Sequence, residues 1–400
     1  MVCKRAARRS WRMRRALGLL AAGVVSASTS ARGDPLVLRA DAVADTSSPV
    51  GLIVLQGQDR MQPWVDAEAL VWGGAKPSVT GDVLVLALRL RDPKGHAEVR
   101  GGRFVLATGA IRPVQMDGAE VTLRAPWGSA LESFGGTPVV PRFGARPYDW
   151  LAGGRVSEKV GVHAILGVSY LQRRADGEIS DHELGADAAF APARWLDVAA
   201  FGAYDLTSPG IADARVSAAS RFDKFRVEVF ASELSPGRLL PATSLFSVLG
   251  DFPSETVGGT VKWLAAPRLD VLASGAGQDV GGGLGGNGWL RATLRLDDRG
   301  EGNLGLELRR VDVSTAEWTG IRGVAALPLG HGLRFSTEVE VVVPDHPVGN
   351  GIAWPWGLMA LAYRSRSGWE AAGAVEASST PLHAYETNAL VRLSRRWEAP

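Results

Sequence analysis

The sequence predicts an all-β protein that crosses a membrane as an antiparallel up-and-down barrel of about 22 strands (range 18–22). Three observations carry this. Apolar and polar residues alternate with period two over segments of about ten to twelve residues. Tryptophans gather at the ends of those segments. The links between segments alternate between tight polar turns and longer stretches.

Period-two alternation places every apolar side chain of a segment on one face of a sheet. Leu333, Phe335, Thr337, Val339, Val341 and Val343 share a face, with Arg334, Ser336, Glu338 and Glu340 on the other. Leu304, Leu306 and Leu308 alternate with Glu307 and Arg309; Leu290, Ala292, Leu294 and Leu296 alternate with Arg291, Thr293 and Arg295. Leu84, Leu86, Leu88 and Leu90 end on Arg89 and Arg91. A water-soluble sandwich would show the same alternation, so segment length matters. Ten to twelve residues suit a tilted strand crossing the hydrocarbon layer and exceed the soluble mode of about 5–6.

Trp64, Trp150, Trp195, Trp289, Trp318 and Trp369 start segments, while Trp72 and Trp397 close them. Indoles at both ends of spanning strands are expected to form an interfacial girdle. The links after even segments are short: 91–95, 192–194, 266–268, 297–302 and 364–368. Those after odd segments read as longer: 73–81, 137–148, 234–255, 279–288 and 344–355. A membrane barrel segregates short turns to the periplasmic face and long loops to the outer face. Both termini are then expected in the periplasm. Pro192 to Val198 and Pro267 to Val271 resemble each other, as expected of turns in which Pro presets φ.

Residues 1–31 read as a secretory signal peptide. Six Arg and one Lys precede the apolar run Ala16–Val25, and small residues follow, placing cleavage after Ala27 or Ala31. Ten apolar residues are too few for a spanning helix, which needs about 20. Residues 34–400 then form a single barrel domain, with no room before a first strand near Leu36 for a plug domain. The single cysteine, Cys3, leaves with the signal, so disulfides and thiolate metal sites are not expected in the mature chain. A net charge of +2 gives no bulk basic field that would call for nucleic acid. The 49 glycines and 13 tryptophans, without linker or low-complexity tract, fit one all-β domain.

The last segment, Asn388–Trp397, resembles the C-terminal strand signal of outer-membrane barrels: Val391, Leu393 and Trp397 alternate toward a closing aromatic, followed here by Glu398-Ala399-Pro400. Gly102-Arg103, Gly109, Arg112, Asp117-Gly118 and Phe134–Pro138 resemble a stretch of alginate-export-like and related porin families. The resemblance implies a passive channel in the outer membrane of a Gram-negative bacterium, surrounded by its lipids and folded by the barrel assembly machinery.

The expected function is diffusion or export of small polar solutes; the alternative is a non-conducting barrel with a structural, adhesion or export-complex role. Candidate lumen-lining residues are Arg89, Arg226, Glu228, Arg291, Arg295, Glu307, Arg309, Arg334, Glu338, Glu340 and Arg392, with Asp66 and Glu68 nearby. They read either as a mixed-charge eyelet or as cross-strand ion pairs that stiffen the wall. The apolar link containing Arg238, Leu239, Leu240, Leu245, Phe246 and Leu249 is expected either to fold inward as a constriction or to cover the mouth or a neighbouring protomer in a homo-oligomer. No catalytic set is expected: none of the six histidines forms a His-x-Ser pair, and only His163 sits mid-strand, near Ser169 and Tyr170. The run Gly281–Gly286 lacks the helix and Lys-Ser/Thr of a phosphate cradle. No cofactor or metal is expected.

Overall fold

The computed structural model describes residues 37–398 apart from 46–49, 63, 77, 140–147, 236–252, 314–315, 348, 350 and 381–383. The first group of strands is β1 (Val37–Asp45), β2 (Val50–Gln62), β3 (Val65–Lys76), β4 (Ser78–Arg91), β5 (Ala97–Leu106), β6 (Val114–Arg124) and β7 (Ala130–Pro138). There follow β8 (Tyr148–Val160), β9 (Ala164–Ala175), β10 (Glu178–Ala193), β11 (Leu196–Asp205), β12 (Gly210–Phe222), β13 (Phe225–Leu234) and β14 (Ser254–Ala266). The ring continues through β15 (Leu269–Val280), β16 (Gly283–Arg295), β17 (Asn303–Val313) and β18 (Ala316–Gly330). It ends with β19 (Leu333–Pro344), β20 (Trp354–Arg364), β21 (Trp369–Ser378) and β22 (Glu386–Glu398).

Each strand pairs antiparallel with its sequence neighbour, and β22 pairs with β1 from Val37↔Glu398 to Asp45↔Leu390. The sheet is therefore closed, and no strand presents an unpaired edge. Closure satisfies the backbone hydrogen bonds that lipid cannot.

The two faces are inverted relative to a soluble protein. On β17, Leu304, Leu306 and Leu308 are 41, 52 and 47 % exposed, whereas Glu307 between them is 3 % exposed. Exposed aliphatic side chains recur on the outside of other strands, including Leu86 and Leu88, Val156, Val168, Val339, Met359 and Val391. Such a continuous apolar exterior is unstable in water and suits a hydrocarbon surround. Glu307, Arg309 and many of the other strand carboxylates and guanidinium groups turn into the ring, while Arg310 and Asp312 near the long-loop end share the outer face.

Val37, where β1 begins, and Glu398, where β22 ends, lie at the end of the barrel that carries the links after even strands. Those links stay short, the longest spanning 296–302. The opposite end carries the longer links 107–113, 139–147, 235–253, 345–353 and 379–385. Two expected loops at that end are strand instead. Residues 73–81 continue β3 and β4, which separate only at residue 77, with Gly73 paired to Gly81. Residues 279–288 form a hairpin closed by Gly281 and Gly282 alone. Their φ values of 58 and 84° match the two left-handed positions of a two-residue turn, whose twist follows that of the flanking strands. The glycines that read as a loop are thus one turn plus paired strand. The segment 238–249 and residues 1–31, expected to be a signal peptide, lie outside the described residues.

Candidate lumen and constriction

The eleven charged residues expected in the lumen all lie on the inward face, and ion pairs gather most of them into arrays. In β16–β19, Glu307 receives Arg291 from the neighbouring strand and Arg309 from its own. Arg309 also approaches Glu340 at 3.6 Å, and Arg322 holds Glu338 at 2.6 Å. The register explains this array, because Arg291, Glu307, Arg322 and Glu340 face one another in a row across four strands. In β3–β5, Glu98 lies 3.3 Å from Arg89 and 3.2 Å from Arg91; Arg91 reaches Asp66, and Arg100 holds Glu68. Arg392 joins Glu370 of β21 and, across the seam, lies 4.0 Å from Asp41 of β1. Glu228 sits between Arg215 at 3.6 Å and Arg226 at 3.9 Å, and Arg295 lies 3.8 Å from Asp270. Arg334, opposite Pro328 and Ala362, is exposed inside the ring.

The largest departure from the sequence reading is in the link 107–113. The tip of the β5–β6 hairpin turns inward and lies across the inner faces of β7 to β10. Arg112 binds Glu183 of β10 through its backbone N–H (3.0 Å) and its Nε–H (2.8 Å), and its Nη2 lies 3.2 Å from Asp181. The Thr108 hydroxyl donates to Glu132 of β7. Gly109 sits so close to β8 and β10 that an added Cβ would lie 2.8 Å from Arg155 Cδ and 2.9 Å from Asp187 Oδ1. Its φ of 53° is also one that a β-carbon disfavours. Beneath the tip, Arg155 bridges Asp187 at 2.6 Å and Glu132 at 3.1 Å, while Arg173 meets Asp181 at 3.1 Å.

Apolar packing fixes the tip. Phe104, Leu106, Ile111, Val114 and Met116 from the hairpin bury themselves against Phe134, Leu151 and Leu171 of the wall. This cluster is the core of the molecule, and it lies inside the ring on one side only. The signal for it was present: the link Ala107–Pro113 holds Ala110, Ile111 and Pro113 and no carboxylate or amide residue. That is the same apolar character that drew attention to 238–249.

The tryptophans divide by end. Trp195, Trp369 and Trp397 lie at the end with the short turns and are exposed on the outside; Trp64, exposed in the β2–β3 turn, lies at the same end. Trp263 joins them, stacked on Phe225 at 6.0 Å, and Trp195 stacks on Phe222 at 6.2 Å. Trp150 is exposed on the outside at the other end. Trp72, Trp289 and Trp318 do not belong to an outer girdle. Trp72 shares the strand face of Asp66 and Glu68, Trp289 that of Arg291, and Trp318 that of Arg322, all inward. Position near a strand end is compatible with either face; only parity decides.

Among the described residues no group of three or more His, Cys, Asp or Glu is placed to hold a metal ion. No family model and no curated protein sequence matches the chain. Solved structures match its shape. The siderophore receptor PirA from Pseudomonas aeruginosa aligns with a TM-score of 0.61 at 8 % identity, covering 92 % of this chain and 81 % of its own. The copper transporter OprC aligns with a TM-score of 0.58 at 11 % identity, again covering 92 and 81 %. The fold is that of a 22-stranded outer-membrane barrel. OccD3 (OpdP) of Pseudomonas aeruginosa overlaps at a TM-score of 0.45 and 10 % identity, covering 92 % of this chain and 91 % of its own. At such identities the likeness concerns the fold alone.

Proposed function

We propose that the chain is a passive channel of a Gram-negative outer membrane that conducts small polar solutes. The observation that carries this reading is the inverted cross-section: a closed wall, aliphatic outside and lined within by paired charges. A 22-stranded ring is wider than the 16–18-stranded barrels that leave an aqueous channel. Contact between strands runs around the ring from neighbour to neighbour.

The β5–β6 tip acts as the constriction in this reading. Its ion pairs to β10 and the Thr108 hydrogen bond to β7 hold it across the ring on one side. The charges facing the remaining lumen come largely as neutral pairs, so the channel is weakly ion-selective and favours hydrated polar solutes over either ion sign. The described residues between 37 and 398 build the wall and its links. The end with the termini and short turns faces the periplasm, residues 1–31 direct export, and the barrel assembly machinery inserts the chain. The reading includes no catalytic role.

Liposome swelling tests this. Proteoliposomes containing the purified protein, placed in iso-osmotic arabinose, should swell at a rate proportional to the protein added. Vesicles with folded, inserted protein that swell no faster than empty ones would favour a non-conducting structural barrel.

A further inference from the structure

Four indoles face the lumen on the alternate strands β16, β18 and β20, toward the end with the long loops. Trp289 of β16, Arg309 of β17, Gly320 of β18, Val342 of β19 and Trp354 of β20 are successive partners in one register row. Trp318 lies two residues from Gly320 on the same face, and its ring covers that glycine, 3.0 Å from where a Cβ would stand. Trp356, two residues on from Trp354, donates its Nε1–H to Glu376 at 2.7 Å, which fixes its ring. Four strand spacings of about 4.8 Å make the row about 19 Å long. All four indoles are partly exposed inside the ring.

Packing alone does not require them there. The buried core lies under the β5–β6 tip on β4–β9, on a different arc of the wall. The interfacial role is filled by the outward indoles at the other end.

We propose that this row is a binding track for neutral pyranose sugars, a substrate class for the channel proposed above. An indole face offers a flat apolar surface to the C–H face of a sugar ring, while neighbouring charged groups hydrogen-bond its hydroxyl rim. The charges around the row select against ions. Three guanidinium groups, Arg291, Arg309 and Arg322, stand against the carboxylates Glu307, Glu338 and Glu340, and with Glu376 beside Trp356 the row carries a net charge of only −1. Cationic solutes are further disfavoured, because the Arg291 guanidinium already lies over Trp289, 5.2 Å from the ring centroid. What remains complementary is an uncharged solute with apolar faces and polar edges.

Isothermal titration of the detergent-folded protein with maltohexaose tests the track, alongside planar-bilayer conductance of the same preparation. Saturable maltohexaose binding is expected. In the W289A/W318A/W354A variant its half-saturating concentration should rise at least about tenfold, whereas W195A/W369A on the outer face should leave it unchanged. Heat-modifiable gel mobility verifies that each variant is folded, and the single variant W318A, expected to weaken binding about tenfold, serves if the triple variant does not fold. A conducting wild-type barrel that binds no maltohexaose would overturn the sugar track and leave the channel intact. Affinity unchanged in the substituted protein, or saturation by choline chloride and not by the sugar, would also overturn it. A silent barrel that binds maltohexaose through these indoles would instead retain the site and refute the channel.

Discussion

Replacing Arg112 with alanine should release the β5–β6 tip and widen the lumen. Arg112 supplies two hydrogen bonds to the fully buried Glu183 and an ion pair to Asp181, which is itself only 4 % exposed. The backbone N–H bond survives the substitution, but the guanidinium contacts do not. Removing one partner of a buried ion pair costs about 3–5 kcal/mol if the structure cannot relax. Arg173 still neutralises part of the Asp181 charge. Water can also reach Glu183 once the tip lifts, so the expected loss falls toward the value of one charged hydrogen bond, about 1.5–3 kcal/mol. Urea unfolding in lipid vesicles, followed by tryptophan emission, measures that loss. The double variant R112A/E183Q should recover part of it, because the carboxylate left buried by R112A is then neutral. Single-channel conductance should rise in R112A, and protease should cut within 107–113 where the wild type resists. An R112A protein with wild-type stability, conductance and protease resistance would refute the idea that this contact holds the tip against the wall.

Other perturbations follow from the same geometry. Leu306→Arg places a charge on the outer face beside two exposed leucines and should cost about 2–4 kcal/mol near the bilayer midplane, read by urea unfolding in vesicles; a neutral effect would place β17 outside the membrane. Gly282→Val forces a branched residue into a left-handed position with φ 84° and should destabilise by at least about 1–2 kcal/mol, measured the same way. Asp345, at the start of the loop 345–353, is held below the usual carboxylate range by hydrogen bonds from Arg310 at 2.6 and 2.7 Å. A depressed pKa means that the contact contributes above the unfolded pKa and is lost as pH falls through the lower folded value. Hydrogen exchange of 345–353 should therefore stay slow at neutral pH and quicken only in strong acid, while Asp345→Asn should exchange fast throughout. Deleting 238–249 should raise single-channel conductance if that apolar link also folds inward, and unchanged conductance would remove it as a second constriction.

The barrel was legible in the sequence because its determinants are local. Alternation along Leu304–Leu308 needs only the pleat, and the tight turns at Pro267-Arg268 and Arg364–Gly368 announce themselves by composition. Glycine was the misleading signal: Gly281-Gly282 is a genuine two-residue turn, while Gly283, Gly285 and Gly286 beyond it are paired strand. Glycine tolerates both states, so the sequence around 73–81 and 279–288 overstated the loops. Tryptophan misled for a different reason. Trp289 stands mid-strand in β16 and Trp318 near the start of β18, and their parity with Arg291 and Arg322 turns both inward. The constriction was the least legible feature, since Arg112 meets Glu183 across 71 positions of sequence and four intervening strands. No local pattern encodes that contact, although the apolar make-up of Ala107–Pro113 hints that the link avoids water.

The most direct measurement is the current through a planar bilayer containing the purified wild-type protein. A lumen lined by balanced ion pairs predicts discrete open steps whose conductance scales with salt, and a reversal potential near zero across a potassium chloride gradient. A folded, heat-modifiable barrel that inserts yet passes no current, or one that passes a single ion sign almost exclusively, would contradict it.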